Sequence, residues 1–404
     1  MRSKFIKDAF LFTITKYVVV ALGLLRTIIV AALLTKSELG ALAVVLLFFE
    51  YLSLFSPLGS IYSFNKNATN FQAQKNNISI QDKKIEDLYR STTLTIILGL
   101  IISILLLFYV SNNFNLLSSN IENNLFSVIF IAILSVYRAY AVIHNRIWGK
   151  FKKIIVMELA YAICYLAGIA LFFEVGENFI SSYLNILIFS TIASIMTSRF
   201  IPKFKIKFER SLLSYDFFKL GIVLMIYNFL ETFFWGLDRI FIAFYLLPNQ
   251  LADFHIAHTW SRGILMVYMA LTFLFTSELM KQLTLTDDLH RNSNIISKIS
   301  QLTRSSEIIL AVILIISVAL LPFAITITMS KYSNIDNVLV LVLLGLMLKG
   351  MCFFPSSYMI ANHLQKRLTI MSIAFASLAS LIYFSLNKYI SSSTEYLSIS
   401  ISIF

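Results

Sequence analysis

Residues 91–110 read STTLTIILGLIISILLLFYV. From Thr95 onward, apolar side chains cover every side of a helix, whereas a transmembrane strand would alternate apolar and polar residues over about 10 positions. The apolar core of a bilayer, about 30 Å thick, is crossed by roughly 17 to 25 mostly apolar helical residues. The stretch therefore predicts a transmembrane α-helix.

The composition extends this interpretation to the whole chain. Of the 404 residues, 58% are hydrophobic and 13% are charged, and the mean hydropathy is +0.80. A soluble domain carries about 25% charged residues and many turn residues, yet this chain has 12 Gly and 5 Pro. These values exclude a water-soluble globular domain. Cys164 and Cys352 both lie inside apolar runs, so they predict neither a disulfide framework nor a metal cluster.

Runs of membrane-spanning length, bounded by polar clusters, occur eleven times along the chain. They cover approximately residues 10–34, 40–63, 91–110, 125–144, 154–173, 179–196, 218–245, 254–277, 306–327, 338–360 and 368–384. We therefore expect an all-α, polytopic membrane protein with 11 or 12 transmembrane helices.

Lysine and arginine residues outside these runs lie almost entirely on one side of the predicted membrane. Twenty-four lie on the side of the amino terminus and three, Lys36, Lys331 and Lys388, on the other. The positive-inside bias then predicts a cytoplasmic amino terminus and cytoplasmic long loops. This bias explains the formal net charge of +12, and because no basic stripe with interleaved aromatic residues is present, we expect no nucleic-acid partner.

A weak internal repeat relates the two halves of the chain. Residues 25–45, LRTIIVAALLTKSELGALAVV, can be laid over residues 238–257, DRIFIAFYLLPNQLADFHIA, at an offset of 212 or 213. The repeat predicts two six-helix lobes, residues 1–210 and 211–404, as in transporters built from repeats. The same offset predicts a twelfth span at about residues 392–408, which the end of the chain at Phe404 would leave incomplete.

Three motifs resemble those of one known family. AALLTKSELGALA at 31–43 resembles the first-hairpin pattern of Wzx-type O-antigen and polysaccharide flippases, and SPLGS at 56–60 resembles the turn that follows their second span. Residues 238–257 resemble the Asp-Arg start, the hairpin and the continuation in the second half of these proteins. This family belongs to the MATE-like multidrug/oligosaccharidyl-lipid/polysaccharide (MOP) exporter superfamily. The chain departs from the usual Gly or Tyr of the pattern at Thr35, Leu42, Leu247, Ala252 and Phe254.

The resemblance implies a function in the bacterial inner membrane. It implies a flippase that moves undecaprenyl-diphosphate-linked repeat units of O-antigen or another polysaccharide from the cytoplasmic to the periplasmic leaflet by alternating access. It further implies coupling to Na⁺ or protons and no cofactor. The implied partners are the lipid-linked oligosaccharide, membrane lipids, a polysaccharide polymerase and a chain-length regulator.

Ionisable residues inside the predicted spans are the candidate site residues, because each costs about 2.5 to 3.5 kcal/mol at a helix centre. Four cations are candidates for binding a diphosphate and acidic sugars in a central cavity: Arg26, Arg138, Arg262 and Lys349. The candidates for ion coupling are Glu50, Glu231, Asp238, His255 and His258. No catalytic or metal-binding residue is expected.

Two of these groups form polar stripes at helical spacing. One stripe comprises Asn228, Glu231, Trp235 and Asp238, and the other comprises His255, His258 and Arg262. The alternative interpretation is that such charges neutralise one another and hold helices together, which the sequence favours for Asp238 and its neighbour Arg239. The stripe of Glu158, Tyr161 and Tyr165 is more typical of packing.

Other functions remain open at the level of sequence. A membrane glycosyltransferase or glycan polymerase is disfavoured by the short extracytoplasmic loops, which lack carboxylate clusters. The chain has no Walker motif or nucleophile elbow. We therefore expect no enzyme and no ATP-driven pump. An exporter of drugs or metabolites from the same superfamily would share the architecture, and a lipid II flippase would normally carry further spans.

Overall fold

The structure is a computed structural model of the chain. It describes residues 2–57, 59–61, 63–64, 78–113, 123–176, 178–199, 222–223, 225–227, 229–230, 248–284, 289–352, 355–356, 359 and 364–387.

All regular secondary structure in these ranges is helical. The α-helices are α1 (Arg2–Leu33), α2 (Lys36–Phe55), α3 (Ile78–Asn113), α4 (Leu125–Ile147), α5 (Phe151–Phe172), α6 (Phe179–Ser198), α7 (Pro248–Thr284), α8 (Leu289–Thr328), α9 (Asp336–Met351) and α10 (Gln365–Asn387), with a 3-10 helix at Ser330–Ile335 between α8 and α9.

Eight segments among the described residues are long and apolar enough to cross a membrane: Leu11–Leu33, Lys36–Leu54, Leu88–Leu105, Leu125–Ile147, Phe151–Phe172, Phe179–Ser198, Thr303–Thr328 and Ser330–Leu348. They correspond to eight of the eleven expected spans. The expected spans at 254–277 and 368–384 lie within α7 and α10. Most of the expected span at 218–245 and all of residues 392–404 lie outside the described residues. The prediction of an all-α polytopic membrane protein is confirmed.

The helices extend further than the apolar runs on the predicted cytoplasmic side. Helix α3 begins at Ile78 and α8 at Leu289, well before the apolar runs at 91 and 306. The good helix formers Lys, Glu, Gln and Arg make up five of the 13 residues at 78–90, and Lys, Gln and Arg make up four of the 17 residues at 289–305. A helix therefore continues where the hydropathy signal has ended. Large apolar side chains such as Phe126 (81% exposed) and Leu171 (73%) face outward, where lipid would cover them.

The described chain divides into two compact units. The first unit comprises residues 1–15 and 44–233, and the second comprises residues 16–43 and 234–404. Helices α1 and α2 thus each contribute to both units, which the sequence did not predict. The expected lobe boundary near residue 210 lies outside the described residues and stays a prediction.

The core of the first unit is formed by α4, α5 and α6. A Cβ added at Gly168 of α5 would lie 2.5 Å from the Ile186 side chain of α6, so the absence of a side chain there permits this close packing. Buried residues that include Phe64, Tyr140 and Met157 form a cluster near the predicted cytoplasmic end of α4.

The second unit contains the first interhelical hairpin together with α7, α8 and α9. The sequence TKSE at 35–38 begins α2 as a capping box. The Thr35 N–H donates to Glu38 Oε2 at 2.8 Å, and the Glu38 N–H donates to Thr35 Oγ1 at 3.3 Å. Gly350 of α9 lies against Leu265 of α7, where a Cβ would be 2.9 Å from that side chain.

Candidate functional site

Arg138 of α4 is held by three side chains in the first unit. Its Nη2 lies 2.9 Å from Glu158 Oε2 of α5, and its Nε donates to Ser194 Oγ of α6 at 3.0 Å. The guanidinium carbon lies 4.2 Å from the centre of the Tyr161 ring, within range of a cation–π interaction. Ser194 Oγ in turn donates to the Met157 carbonyl at 2.8 Å.

This arrangement neutralises Arg138 inside the span Leu125–Ile147. The sequence identified Arg138 as a candidate, but it attributed Glu158 and Tyr161 to packing. The sequence signal for Glu158 is its position inside the apolar run 154–173, where an unpaired carboxylate would be very costly, and in the structure this residue is buried. The substrate-binding role of Arg138 stays a prediction.

Arg26 and Arg262 lie at similar depth in the second unit. A Cβ on Gly263 of α7 would lie 3.3 Å from the Leu24 side chain of α1, so the two helices contact each other there. Arg26 is two residues after Leu24, and Arg262 is one residue before Gly263. Since a helix rises about 1.5 Å per residue, both arginines lie within about 3 Å of this contact along the helix axes. Leu24 lies well inside the span Leu11–Leu33. Both arginine side chains are half-buried.

Helix α7 carries the predicted stripe of His255, His258 and Arg262. His258 is 3% exposed, and its ring stacks with that of Phe254 at a centroid distance of 6.3 Å. His255 is half-buried. The sequence did not identify Ser261, which is fully buried next to Arg262.

A second charged cluster lies at the predicted outer end of the second unit. Lys36 Nζ lies 2.6 Å from Asp253 Oδ1 and 5.1 Å from the centre of the Tyr332 ring. Lys331 Nζ donates to the Leu34 carbonyl at 2.5 Å and to the Ala32 carbonyl at 3.3 Å, which satisfies carbonyls at the end of α1. Lys36 and Lys331, two of the three lysines that the sequence places outside the cytoplasm, therefore stabilise the hairpin between α1 and α2.

Asp253 precedes the apolar run of α7, and its carboxylate is partly removed from water. Burial raises the pKa of the Asp253 carboxyl from its ordinary value, while the hydrogen bond and the charge of Lys36 lower it. Burial is the larger effect, so this carboxyl binds a proton more readily than an exposed aspartate does.

A third polar group, also missed from sequence, joins α3 to α4 in the first unit. The Tyr89 hydroxyl is hydrogen-bonded to His144 Nδ1 and accepts a hydrogen bond from Trp148 Nε1 at 3.0 Å. These residues are at the predicted cytoplasmic end of the unit, close to the basic turn at Lys150.

The structure leaves several candidates unplaced. Glu231 and Asp238 lie outside the described residues, as do Asn228 and Trp235, the other two residues of their stripe. Lys349 lies on α9, where only its backbone is described, and Glu50 is half-buried on α2 of the first unit. Among the described residues, no group of three or more His, Cys, Asp or Glu side chains is arranged to hold a metal ion.

Comparison with known proteins identifies the fold. No family model and no curated protein matches the sequence. Among solved structures, the chain is similar to the inward-facing conformation of a multidrug resistance MATE family transporter of the MOP superfamily, with a TM-score of 0.65, 11% identity, and 97% of this chain and 95% of that chain covered.

The outward-facing conformation of a multidrug resistance MATE family transporter gives a TM-score of 0.64 at 14% identity, with 98% of this chain and 91% of that chain covered. A eukaryotic MATE transporter gives 0.60 at 11% identity, covering 99% and 98% of the two chains. The chain therefore has the fold of the MATE transporters.

Proposed function

We propose that this protein is a flippase that moves undecaprenyl-diphosphate-linked O-antigen or polysaccharide repeat units from the cytoplasmic to the periplasmic leaflet of the bacterial inner membrane. It would work by alternating access, coupled to Na⁺ or protons, with its amino terminus in the cytoplasm. The fold supports membrane transport, because the solved structures of similar fold are transporters with inward-facing and outward-facing conformations.

The observation that carries the choice of an anionic substrate is the placement of Arg26 and Arg262. Both arginines lie at the depth of one helix contact, and on α1 this contact is well inside the candidate span Leu11–Leu33. Arginine at such depth costs about 2.5 to 3.5 kcal/mol on insertion scales and is retained where it serves a pathway or a partner. Two guanidinium groups at one depth suit a diphosphate, because each guanidinium can donate two hydrogen bonds to phosphate oxygens.

A drug exporter of the same fold is the second candidate. Its support is that two of the solved structures are described as multidrug resistance transporters. A cationic drug would favour carboxylates over arginines in the membrane. Within the predicted spans of this chain, cations instead outnumber carboxylates. The cations are Lys16, Arg26, Arg138, Arg239, Arg262 and Lys349, and the carboxylates are Glu50, Glu158, Glu231 and Asp238.

The decisive experiment analyses undecaprenyl-linked intermediates in a strain that lacks the gene. Complete repeat units that accumulate on the cytoplasmic leaflet are the expected result. Incomplete units would indicate a transferase, and a normal intermediate pool with increased drug sensitivity would indicate an exporter.

The arginines are tested by complementation of that strain with Arg26→Ala and Arg262→Ala. We expect each to abolish surface glycan while the protein still inserts at wild-type level. Lys16→Ala is the matched control on α1, because Lys16 is near enough to the cytoplasmic end of its span for its charge to reach the interface. Wild-type glycan in both arginine variants would contradict their role in substrate binding.

A further inference from the structure

Among the described residues, Ser261 of α7 and Ser103 of α3 are buried helical serines whose hydroxyl groups have no hydrogen-bond partner. Ser103 lies in an apolar run, whereas Ser261 is adjacent to Arg262. Thr92, Thr95, Ser190 and Thr191 are also almost fully buried, and each donates to the carbonyl four residues earlier at 2.7 to 2.8 Å. Within the described part of the chain, the Ser261 hydroxyl is fully buried and has no hydrogen-bond partner. Its side chain is therefore turned away from the carbonyl that a helical serine ordinarily uses.

The unpartnered hydroxyl borders the polar stripe of α7. His258 and Arg262 are four residues apart and share one helix face. Ser261 is three residues after His258 and directly precedes Arg262, so the three side chains lie within an arc of about 100° around the helix, with His258 between the other two. A hydroxyl, an imidazole and a guanidinium are thus neighbours on α7.

A buried hydroxyl without a partner costs free energy, which a ligand with suitable acceptors would recover. Phosphoryl oxygens are such acceptors, and a neighbouring guanidinium strengthens their binding in surroundings of low dielectric constant. We infer that Ser261, together with His258 and Arg262, forms a subsite on α7 for a phosphate group of the lipid diphosphate. This inference rests on the proposed function and assigns to Ser261 a binding role that complements the charge of Arg262.

Ser261 is fully buried, so the ligand reaches it only when α7 separates from a neighbouring helix. Alternating access supplies such a movement, because helices that line the substrate path are exposed and covered in turn. In the absence of ligand, the hydroxyl would remain unpartnered, as it is in this structure.

The test uses the full-length protein in detergent micelles and measures the affinity for three probes. Inorganic pyrophosphate and undecaprenyl diphosphate carry phosphate, whereas undecaprenol carries the same lipid chain without it. We expect the wild-type protein to bind the phosphate probes and Ser261→Ala to bind them about tenfold more weakly, since one hydrogen bond to a charged group is lost. Ser261→Thr keeps the hydroxyl and should restore most of the affinity, and undecaprenol binding should be equal in all variants.

The matched control is Ser190→Ala, because Ser190 is a buried helical serine whose hydroxyl already has an acceptor in Ile186. This variant should retain wild-type affinity. Without ligand, Ser261→Ala should melt at or above the wild-type temperature, since it removes an unsatisfied buried group, and a purely structural role for Ser261 would lower the melting temperature instead.

Equal affinity of the wild-type protein and Ser261→Ala for the phosphate probes would overturn the inference while leaving the flippase assignment intact. Failure of the wild-type protein to bind either phosphate probe would also overturn it. The accumulation of intermediates on the cytoplasmic leaflet decides the proposed function independently.

Discussion

At the scale of single residues, Arg138 and Glu158 form a charged pair inside apolar helices. Their side chains are 20% and 11% exposed, with Nη2 and Oε2 2.9 Å apart. A pair of this kind loses much hydration, and its attraction and hydrogen bonds offset that loss only while both partners are present. The pair should therefore hold α4 and α5 together, whether or not Arg138 also contacts the substrate.

The change Glu158→Gln should lower the unfolding free energy by about 3 kcal/mol, because it leaves a guanidinium without its counter-charge. The double variant Arg138→Met/Glu158→Leu should recover most of that stability, since apolar residues of similar size often replace a buried pair at little cost. Thermal unfolding of the purified variants in detergent micelles measures both effects. A double variant as unstable as Glu158→Gln would contradict this account of the pair.

The same variants distinguish a structural role of Arg138 from a role in substrate transport. If Arg138 binds substrate, the double variant should fold and yet fail to restore surface glycan in the deletion strain. Wild-type glycan from a stable double variant would show that Arg138 serves structure alone. The sequence identified the arginine by its cost in the membrane, but its partners come from α5 and α6, and no spacing along α4 could reveal them.

At the scale of elements, the beginnings of α2 and α7 are in unusually close contact. A Cβ added at Gly40 would lie 2.1 Å from the Pro248 carbonyl oxygen and 2.7 Å from its carbon. Both atoms belong to the backbone, so they cannot move aside as a flexible side chain would. Glycine at position 40 allows the two backbones to approach this closely. Lys36 lies one helical turn before Gly40, and the close approach brings it within reach of Asp253.

Gly40→Ala should therefore destabilise the second unit by at least 1 to 3 kcal/mol, the usual cost of forcing extra atoms into a packed contact. Gly23→Ala is the matched control, because a Cβ at Gly23 of α1 has no atom within 4 Å. That variant should be unchanged or up to about 1 kcal/mol more stable, because alanine favours a helix over glycine. Melting temperatures of the two variants in detergent micelles provide the comparison, and equal values would refute the predicted contact.

At the scale of the whole molecule, the sequence predicts membrane spans well and the grouping of helices poorly. Apolar length and the charge bias are local properties, and the structure confirms eight of the spans that apolar length predicts. The grouping of residues 16–43 with the second unit depends on contacts such as Lys36–Asp253, between residues 217 apart in sequence. No local pattern encodes such contacts. Two contacts in this unit, Gly40–Pro248 and Lys36–Asp253, join described parts of the two segments that the internal repeat aligns.

The orientation in the membrane is open to a direct test. Glu174 and Lys150 are exposed on the turns that follow and precede α5. With Cys164 and Cys352 replaced by serine, Glu174→Cys should react with a membrane-impermeant maleimide in intact spheroplasts. Lys150→Cys should react only after permeabilisation, because the positive-inside bias places its turn in the cytoplasm. The reverse labelling pattern would invert the predicted topology.

The grouping of residues 16–43 with α7 also has a consequence for how the protein is made. Ribosomes add about 5 to 20 residues per second, so the 217 residues between Lys36 and Asp253 represent a delay of roughly 10 to 40 s. During that time the first hairpin is in the bilayer without its partners, and Arg26 is without its α7 neighbours. The order of synthesis therefore leaves the first hairpin to wait for a helix made 217 residues later, and during that interval the hairpin depends on lipid and the insertion machinery to accommodate its charges.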